Sequence, residues 1–199
     1  MQMAEIELKF PVDSLSNFER QLYQAGFQLV TPRTFEQNTL YDTLARDLKA
    51  RGEILRVRDY GGRHILTHKR HPDDEDAASM YKVRIETESE VSDGSVLAEI
   101  FTRLGFGPAF RYEKFRTEYS HPDSLDAHLV LDETPIGNFA ELEGPPDWID
   151  HMLALLDVDP GTCLTQSYGK LFLAWKERTG SPANNLTFDE VAAPVLAVQ

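Results

Sequence analysis

Cysteine is almost absent from this 199-residue chain: Cys163 stands alone, so no internal disulfide can form and a reducing cytoplasmic setting is expected. The simplest role for that residue is a small buried hydrophobe. No apolar run approaches membrane-spanning length, and charged, strand-like sequence begins too early for a signal peptide. Positive charge is also scarce. Twenty Lys and Arg face 33 Asp and Glu, a net charge of −13, which argues against broad binding to DNA or RNA polymers. A small polyanion stays open, because a local basic cluster or a metal ion can reverse the sign inside a pocket. The chain has no P-loop, no G-x-G-x-x-G and no G-x-S-x-G, so nucleotide-fold and serine-hydrolase readings have no local support.

What is present is alternation. Hydrophobic residues make up 41% of the chain, enough for one sizeable core. In "EIELKF" (5–10), Glu5, Glu7 and Lys9 alternate with Ile6, Leu8 and Phe10, so an extended strand carries one charged and one apolar face. The pattern recurs in 38–43, 54–60, 63–70, 80–88, 111–119, 126–133 and 137–144. Gly61-Gly62 suits a two-residue hairpin turn, which pairs Tyr60 with Arg63, Arg58 with Ile65, Arg56 with Thr67 and Ile54 with Lys69. Arg56, Arg58 and Lys69 then share a sheet face, where they repel one another unless something anionic sits among them.

Helical spacing lies between the strands. Asp13 or Ser14 heads Leu15, Phe18 and Leu22, with Gly26 as a stop; Asp93 heads Val96, Leu97, Ile100, Phe101 and Leu104. Asp147 opens Trp148, Ile149, Met152, Leu153 and Leu156, and Ser167 precedes Tyr168, Leu171, Phe172 and Trp175. Each apolar set is expected to face the core. Many strands and about four helices without strict βαβ alternation give an α+β domain built on antiparallel pairing. Pro72 to Asp76 reads as a solvated loop. Residues 1–178 form the domain, and 179–199 read as an appended tail that Phe188, Val191, Val195 and Leu196 could dock.

For one strand, a charged face in water is the simpler reading. Taken together, the strands place Glu5/Glu7 and Glu141/Glu143 near the two chain ends and most bases between them. A closed barrel with a charged interior accounts for that: carboxylates hold hard divalent cations, and Arg and Lys grip phosphate oxygens. His64, His68 and His71 suggest zinc only weakly, since strand positions four apart lie roughly 13 Å from each other. Core packing and a strand-end turn are the expected roles of Tyr41 and Asp42.

Glu5-x-Glu7-x-Lys9 resembles the E-x-E-x-K signature of the CYTH superfamily, the triphosphate tunnel metalloenzymes. "LYDT" (40–43), "LRVR" (55–58), "THKR" (67–70), "KVRIETE" (82–88), "EKFRTEY" (113–119), "LDETPIGNFAELEG" (131–144) and "SYGKLF" (167–172) match in order. The resemblance spans about residues 3–177. It implies a closed antiparallel eight-stranded β-barrel forming a tunnel, with helices packed outside and Mg²⁺ or Mn²⁺ as cofactor. By position, Glu5, Glu7, Glu141 and Glu143 resemble the metal-binding acids, with Asp132 assisting directly or through water. Lys9, Arg56, Arg58, Lys69, Lys82, Arg84, Lys114 and Arg116 resemble the phosphate-binding bases, and Glu5, Glu7, Lys9 and Lys69 the catalytic set. Lys170 departs from the acidic or polar residue common there and is expected to face solvent. The implied activity is hydrolysis of tripolyphosphate or thiamine triphosphate. Class IV adenylyl cyclase chemistry is the alternative, and a non-enzymatic polyphosphate or nucleotide-binding module the rival from another class. The expected partner is a triphosphate-bearing small molecule, with no nucleic-acid polymer and no membrane; a homodimer is permitted.

Overall fold

A computed structural model of the protein describes residues 2–72 and 81–192. The expected loop acids Asp73 to Asp76, and Val195 and Leu196 of the tail, lie outside the described residues. Eight strands close into one antiparallel barrel: β1 (Gln2–Pro11), β2 (Gln28–Thr43), β3 (Ile54–Tyr60), β4 (Arg63–Arg70), β5 (Lys82–Val91), β6 (Phe106–His121), β7 (Ser124–Thr134) and β8 (Gly137–Glu143). Around the barrel the order is β1-β5-β4-β3-β2-β6-β7-β8, which puts β2 across the interior from β1. Closure leaves the core strands without free edges and separates an inner from an outer face along each of them.

The hairpin register is the one the turn dictates. Gly61 and Gly62 have φ of 59° and 80°, the left-handed pair required by a turn whose twist matches the strands. Tyr60 faces Arg63, Arg58 faces Ile65, Arg56 faces Thr67 and Ile54 faces Lys69. The acids of β1 stand opposite their partners in the same way: Glu5 faces Arg84, while Glu7 faces both Lys82 and Glu143.

β2 and β6 are longer than their alternation indicates, at 16 residues each. They pair along nearly their whole length, with register shifts around Thr31 and between Leu40 and Tyr41. β3 joins β2 only from Glu36 onward, and β7 joins β6 only from Phe115 onward.

Among the described residues six α-helices lie outside the barrel: α1 (Leu15–Gln24), α2 (Asp47–Ala50), α3 (Gly94–Arg103), α4 (Pro146–Leu155), α5 (Tyr168–Thr179) and α6 (Phe188–Ala192). The apolar faces of β1, β7 and β8 point outward, where α1 and α4 cover them with Phe18, Leu22, Ile149, Met152 and Leu153. Each large aliphatic side chain fully buried there contributes on the order of 1.5–3 kcal/mol. Asp93 caps α3 by accepting from the Ser95 and Val96 amides, and Ser167 caps α5 through the Lys170 amide. Asp147 sits inside the first turn of α4, which starts after Pro145.

α3 corrects its expected burial. Only Phe101 of its apolar set is buried, with Leu97 partly so, while Val96, Ile100 and Leu104 are exposed. The helix rests on a narrow patch of Tyr41, Leu55, Val57 and Leu66, too small to cover the whole stripe. Asp42 meanwhile accepts the amides of Thr43, Leu48 and Lys49, tying the end of β2 to α2.

The segment after α5 lies along β6. Leu186 accepts from the Glu113 amide and donates to Arg111 O, at 2.9 and 3.0 Å, on the stretch of β6 that β7 does not reach. Ala183 and Leu186 are buried beside Phe172, and Phe188 stacks near Phe115. No helix among the described residues is long and apolar enough to cross a membrane.

Candidate active site

Strand parity sends the charged residues inward, and the barrel gathers them around one cavity. Its lining includes seven bases, Lys9, Arg56, Arg58, Lys69, Lys82, Lys114 and Arg116, from β1, β3, β4, β5 and β6. Four acids join them: Glu5 and Glu7 from β1, Glu141 and Glu143 from β8. A charged interior is tolerable only if each ion is paired, because taking a lone ion out of water costs several kcal/mol even after relaxation. The network meets that condition.

Lys9 bonds Glu141 at 2.6 Å and lies 4.0 Å from Glu7. Arg116 spans two acids, donating to Glu141 at 2.6 Å and through two nitrogens to Asp132 at 2.8 and 2.7 Å. Lys114 and the Tyr168 hydroxyl also donate to Asp132, at 2.9 and 2.7 Å. Burial lowers the Lys9 ammonium's pKa, but Glu141 and Glu7 outweigh that and hold it above the usual lysine value. Burial likewise opposes ionisation of Glu141, and Lys9 and Arg116 pull it well below the carboxylate range. Both stay charged.

Lys69 is different. It reaches Glu5 at 2.8 Å and contacts Glu86, yet burial and the neighbouring Arg56 bring its pKa down to about 8. Lys82 donates to Glu7 at 2.5 Å. Arg56 donates to the Tyr112 hydroxyl, Thr67 and Glu88 at 3.2, 3.1 and 3.4 Å. The predicted group of Arg56, Arg58 and Lys69 therefore shares one inner face, with acids of β2 and β5 among its members.

Carboxylate oxygens of Glu5, Glu7 and Glu143 lie within 4.8 Å of one another. Oxygens around a Mg²⁺ ion sit about 2.1 Å from it and so at most about 4.2 Å apart, leaving less than an ångström to close. Hard carboxylate donors with room for water are the donor set Mg²⁺ or Mn²⁺ prefers, so these three residues fit the cofactor expected. Glu143 also bonds His128 at 3.1 Å, a contact that raises the imidazole's pKa.

The other expected site residues are placed differently. Asp132 is fully buried and Glu141 nearly so, and both are engaged by cations of the protein. Arg84 shares the inner face of β5 opposite Glu5, but it is not among the residues lining the cavity, and its guanidinium donates to Val83 O. Lys170 is exposed. His64 and His68 lie near separate acids, Asp59 and Glu53.

Glu36 and Tyr168 are among the residues that escaped the sequence reading. Glu36, with no exposed surface, sits 3.5 Å from Lys114 and 3.7 Å from Arg58, and accepts from Asn38 at 2.8 Å. Its parity with Leu40 was the available signal. Tyr168 places its ring 4.1 Å from the Lys9 ammonium and 5.1 Å from that of Lys114. Backbone pairing of Leu164 with Lys9, at 3.2 and 2.6 Å, brings Ser167, Tyr168 and Gly169 to the cavity.

The family model described as "CYTH domain" matches residues 3–156. A Methanocaldococcus jannaschii protein named "Putative adenylate cyclase MJ0240" is 30% identical over 141 residues, covering 71% of this chain and 77% of that protein. Among solved structures, the PH1819 protein of Pyrococcus horikoshii superposes with a TM-score of 0.69 at 25% identity, covering 86% of this chain and 99% of that one. The Hippeastrum protein HpAC1, a named adenylyl cyclase candidate whose structure is described as revealing a dominant triphosphatase activity, shares the fold with a TM-score of 0.59 at 20% identity, covering 88% and 96%.

Proposed function

The chain belongs to the CYTH domain family, and from that premise we propose that it is a metal-dependent hydrolase of a small triphosphate, tripolyphosphate or thiamine triphosphate. One observation carries the reading: seven bases converge on a cavity that also holds a three-carboxylate cluster. The lining bases are already paired with acids of the barrel, Asp132, Glu36 and Glu86 included. A divalent cation on Glu5, Glu7 and Glu143 would supply positive charge that a triphosphate needs there.

Such a cation, when bound, supplies Lewis acidity and neutralises phosphate charge. The residues of the chain do the rest. Arg56, Arg58, Lys114 and Arg116 hold phosphate oxygens through charge-assisted hydrogen bonds and fix the chain in line. Lys9, kept protonated by Glu141 and Glu7, presents a constant positive charge to the group being transferred. Lys69, 2.8 Å from Glu5 and with its pKa lowered by burial, is the residue we assign to exchange a proton with attacking water.

Cyclisation of ATP is the second reading, favoured by the name of the Methanocaldococcus protein. It uses the same grip, with the ribose 3′-oxygen as nucleophile on the α-phosphorus and pyrophosphate leaving. Chelation separates an enzyme from a binding module. With EDTA, phosphate release from tripolyphosphate should stop, and added Mg²⁺ or Mn²⁺ should restore it. Triphosphate binding without turnover at any metal concentration would remove the hydrolase reading.

A further inference from the structure

We propose that Glu36 gauges phosphate-chain length: its buried carboxylate closes the cavity behind Arg58 and Lys114, so a chain of three phosphates fits and a fourth is repelled. The inference rests on the triphosphate reading and deepens it. Arg58, Lys114 and Arg116 line the cavity, whereas Glu36 does not; its strand β2 lies across the barrel from β1, and Glu36 faces Lys114 in register. It has no exposed surface, and Oε1 takes all three contacts with Asn38, Lys114 and Arg58.

Glu36 Oε2 and Asn38 Oδ1 have no hydrogen-bond partner among the described residues. Those two oxygens would meet a further phosphate oxygen as acceptors. Lys114 is shared between Glu36 and Asp132, so its charge is already drawn toward that layer. Farther on, the Tyr60 hydroxyl donates to Glu118 at 3.1 Å and Thr31 to the same carboxylate at 2.6 Å. Glu36 faces Tyr60 on β3 and Lys114 on β6 in register, and the Tyr60 hydroxyl links it to a second carboxylate, Glu118. Burial opposes its ionisation, but Lys114 and Arg58 hold the carboxylate well below its ordinary range, and it stays anionic. Like charges brought together in a desolvated site are a strong basis for rejecting a ligand.

The test is a length series of pyrophosphate, tripolyphosphate and tetrapolyphosphate with Mg²⁺, followed by calorimetric titration and by phosphate release. The unaltered protein should bind tripolyphosphate at least about tenfold more tightly than tetrapolyphosphate. Glu36→Gln keeps the shape and the Asn38 contact while removing the charge, and should narrow that ratio about threefold or more. Glu36→Asp keeps the charge but retracts it by one methylene, and should narrow the ratio less than Gln does. Equal binding of both chains by the unaltered protein overturns the gauge, whether or not either variant folds. An unchanged ratio in folded Glu36→Gln overturns it too. If no chain of any length binds, the triphosphate reading falls and takes the gauge with it; if chains bind and only the ratios disagree, the gauge alone falls.

Discussion

Asp132→Asn separates two roles that a buried acid beside this cavity could play. The carboxylate has no exposed surface and accepts from Lys114, from two Arg116 nitrogens and from Tyr168, all at 2.7–2.9 Å. Asn preserves the shape but removes the charge, leaving Lys114 with Glu36 at 3.5 Å and Arg116 with Glu141 at 2.6 Å. Removing one partner of a buried ion pair costs about 3–5 kcal/mol. For a chain of this length each kcal/mol moves the melting temperature by about 2–4 °C, so the expected drop is roughly 6–20 °C. Scanning fluorimetry with EDTA, with and without tripolyphosphate, reads it out. The stabilisation by tripolyphosphate should be larger in the variant, because phosphate oxygens then neutralise cations that Asp132 no longer serves. An unchanged melting temperature together with lost Mg²⁺ affinity would refute this reasoning and make Asp132 a metal ligand.

Glu143→Gln should weaken Mn²⁺ binding about tenfold or more in a calorimetric titration, while tripolyphosphate still binds without metal. Arg56→Ala removes a nearly buried guanidinium from the phosphate grip; losing a charged hydrogen bond of about 1.5–3 kcal/mol predicts roughly 10- to 150-fold weaker tripolyphosphate binding. Stability should fall in acid. Glu36 and Glu141 have folded pKa values below the ordinary 4.5, so the unfolded chain binds more protons and stability rises with pH. Their contribution is complete above about 4.5 and is lost as pH drops through the folded values, so chemical denaturation at pH 5 and pH 3 should give a lower unfolding free energy at pH 3.

The legible parts of this fold are those that local chemistry decides. Gly61-Gly62 determines the β3–β4 register pair by pair, and parity alone puts Arg56, Arg58 and Lys69 on one wall. The E-x-E pairs at 5–7 and 141–143 read as one site only through a closed barrel, and the structure joins them by pairing β1 with β8. Glu36 was missed because Pro32 and the register shifts near it break the alternation of β2, so the strand reads as starting at residue 38. Tyr168 reads as core because its spacing on α5 is apolar; its hydroxyl partner Asp132 is 36 residues away, beyond any local signal. The same distance hides the division among the acids. Nothing in the sequence distinguishes Glu141, engaged by Lys9 and Arg116, from Glu143, which clusters with Glu5 and Glu7. The inward face of EIELKF was readable; the work of each carboxylate required the barrel.

The most direct measurement gives the protein tripolyphosphate, thiamine triphosphate and ATP in parallel with Mg²⁺ or Mn²⁺, recording orthophosphate and cyclic AMP. Metal-dependent phosphate release from tripolyphosphate or thiamine triphosphate, without cyclic AMP from ATP, is the result expected of this cavity. Cyclic AMP appearing with pyrophosphate, or triphosphate bound in every case and never cleaved, would contradict it.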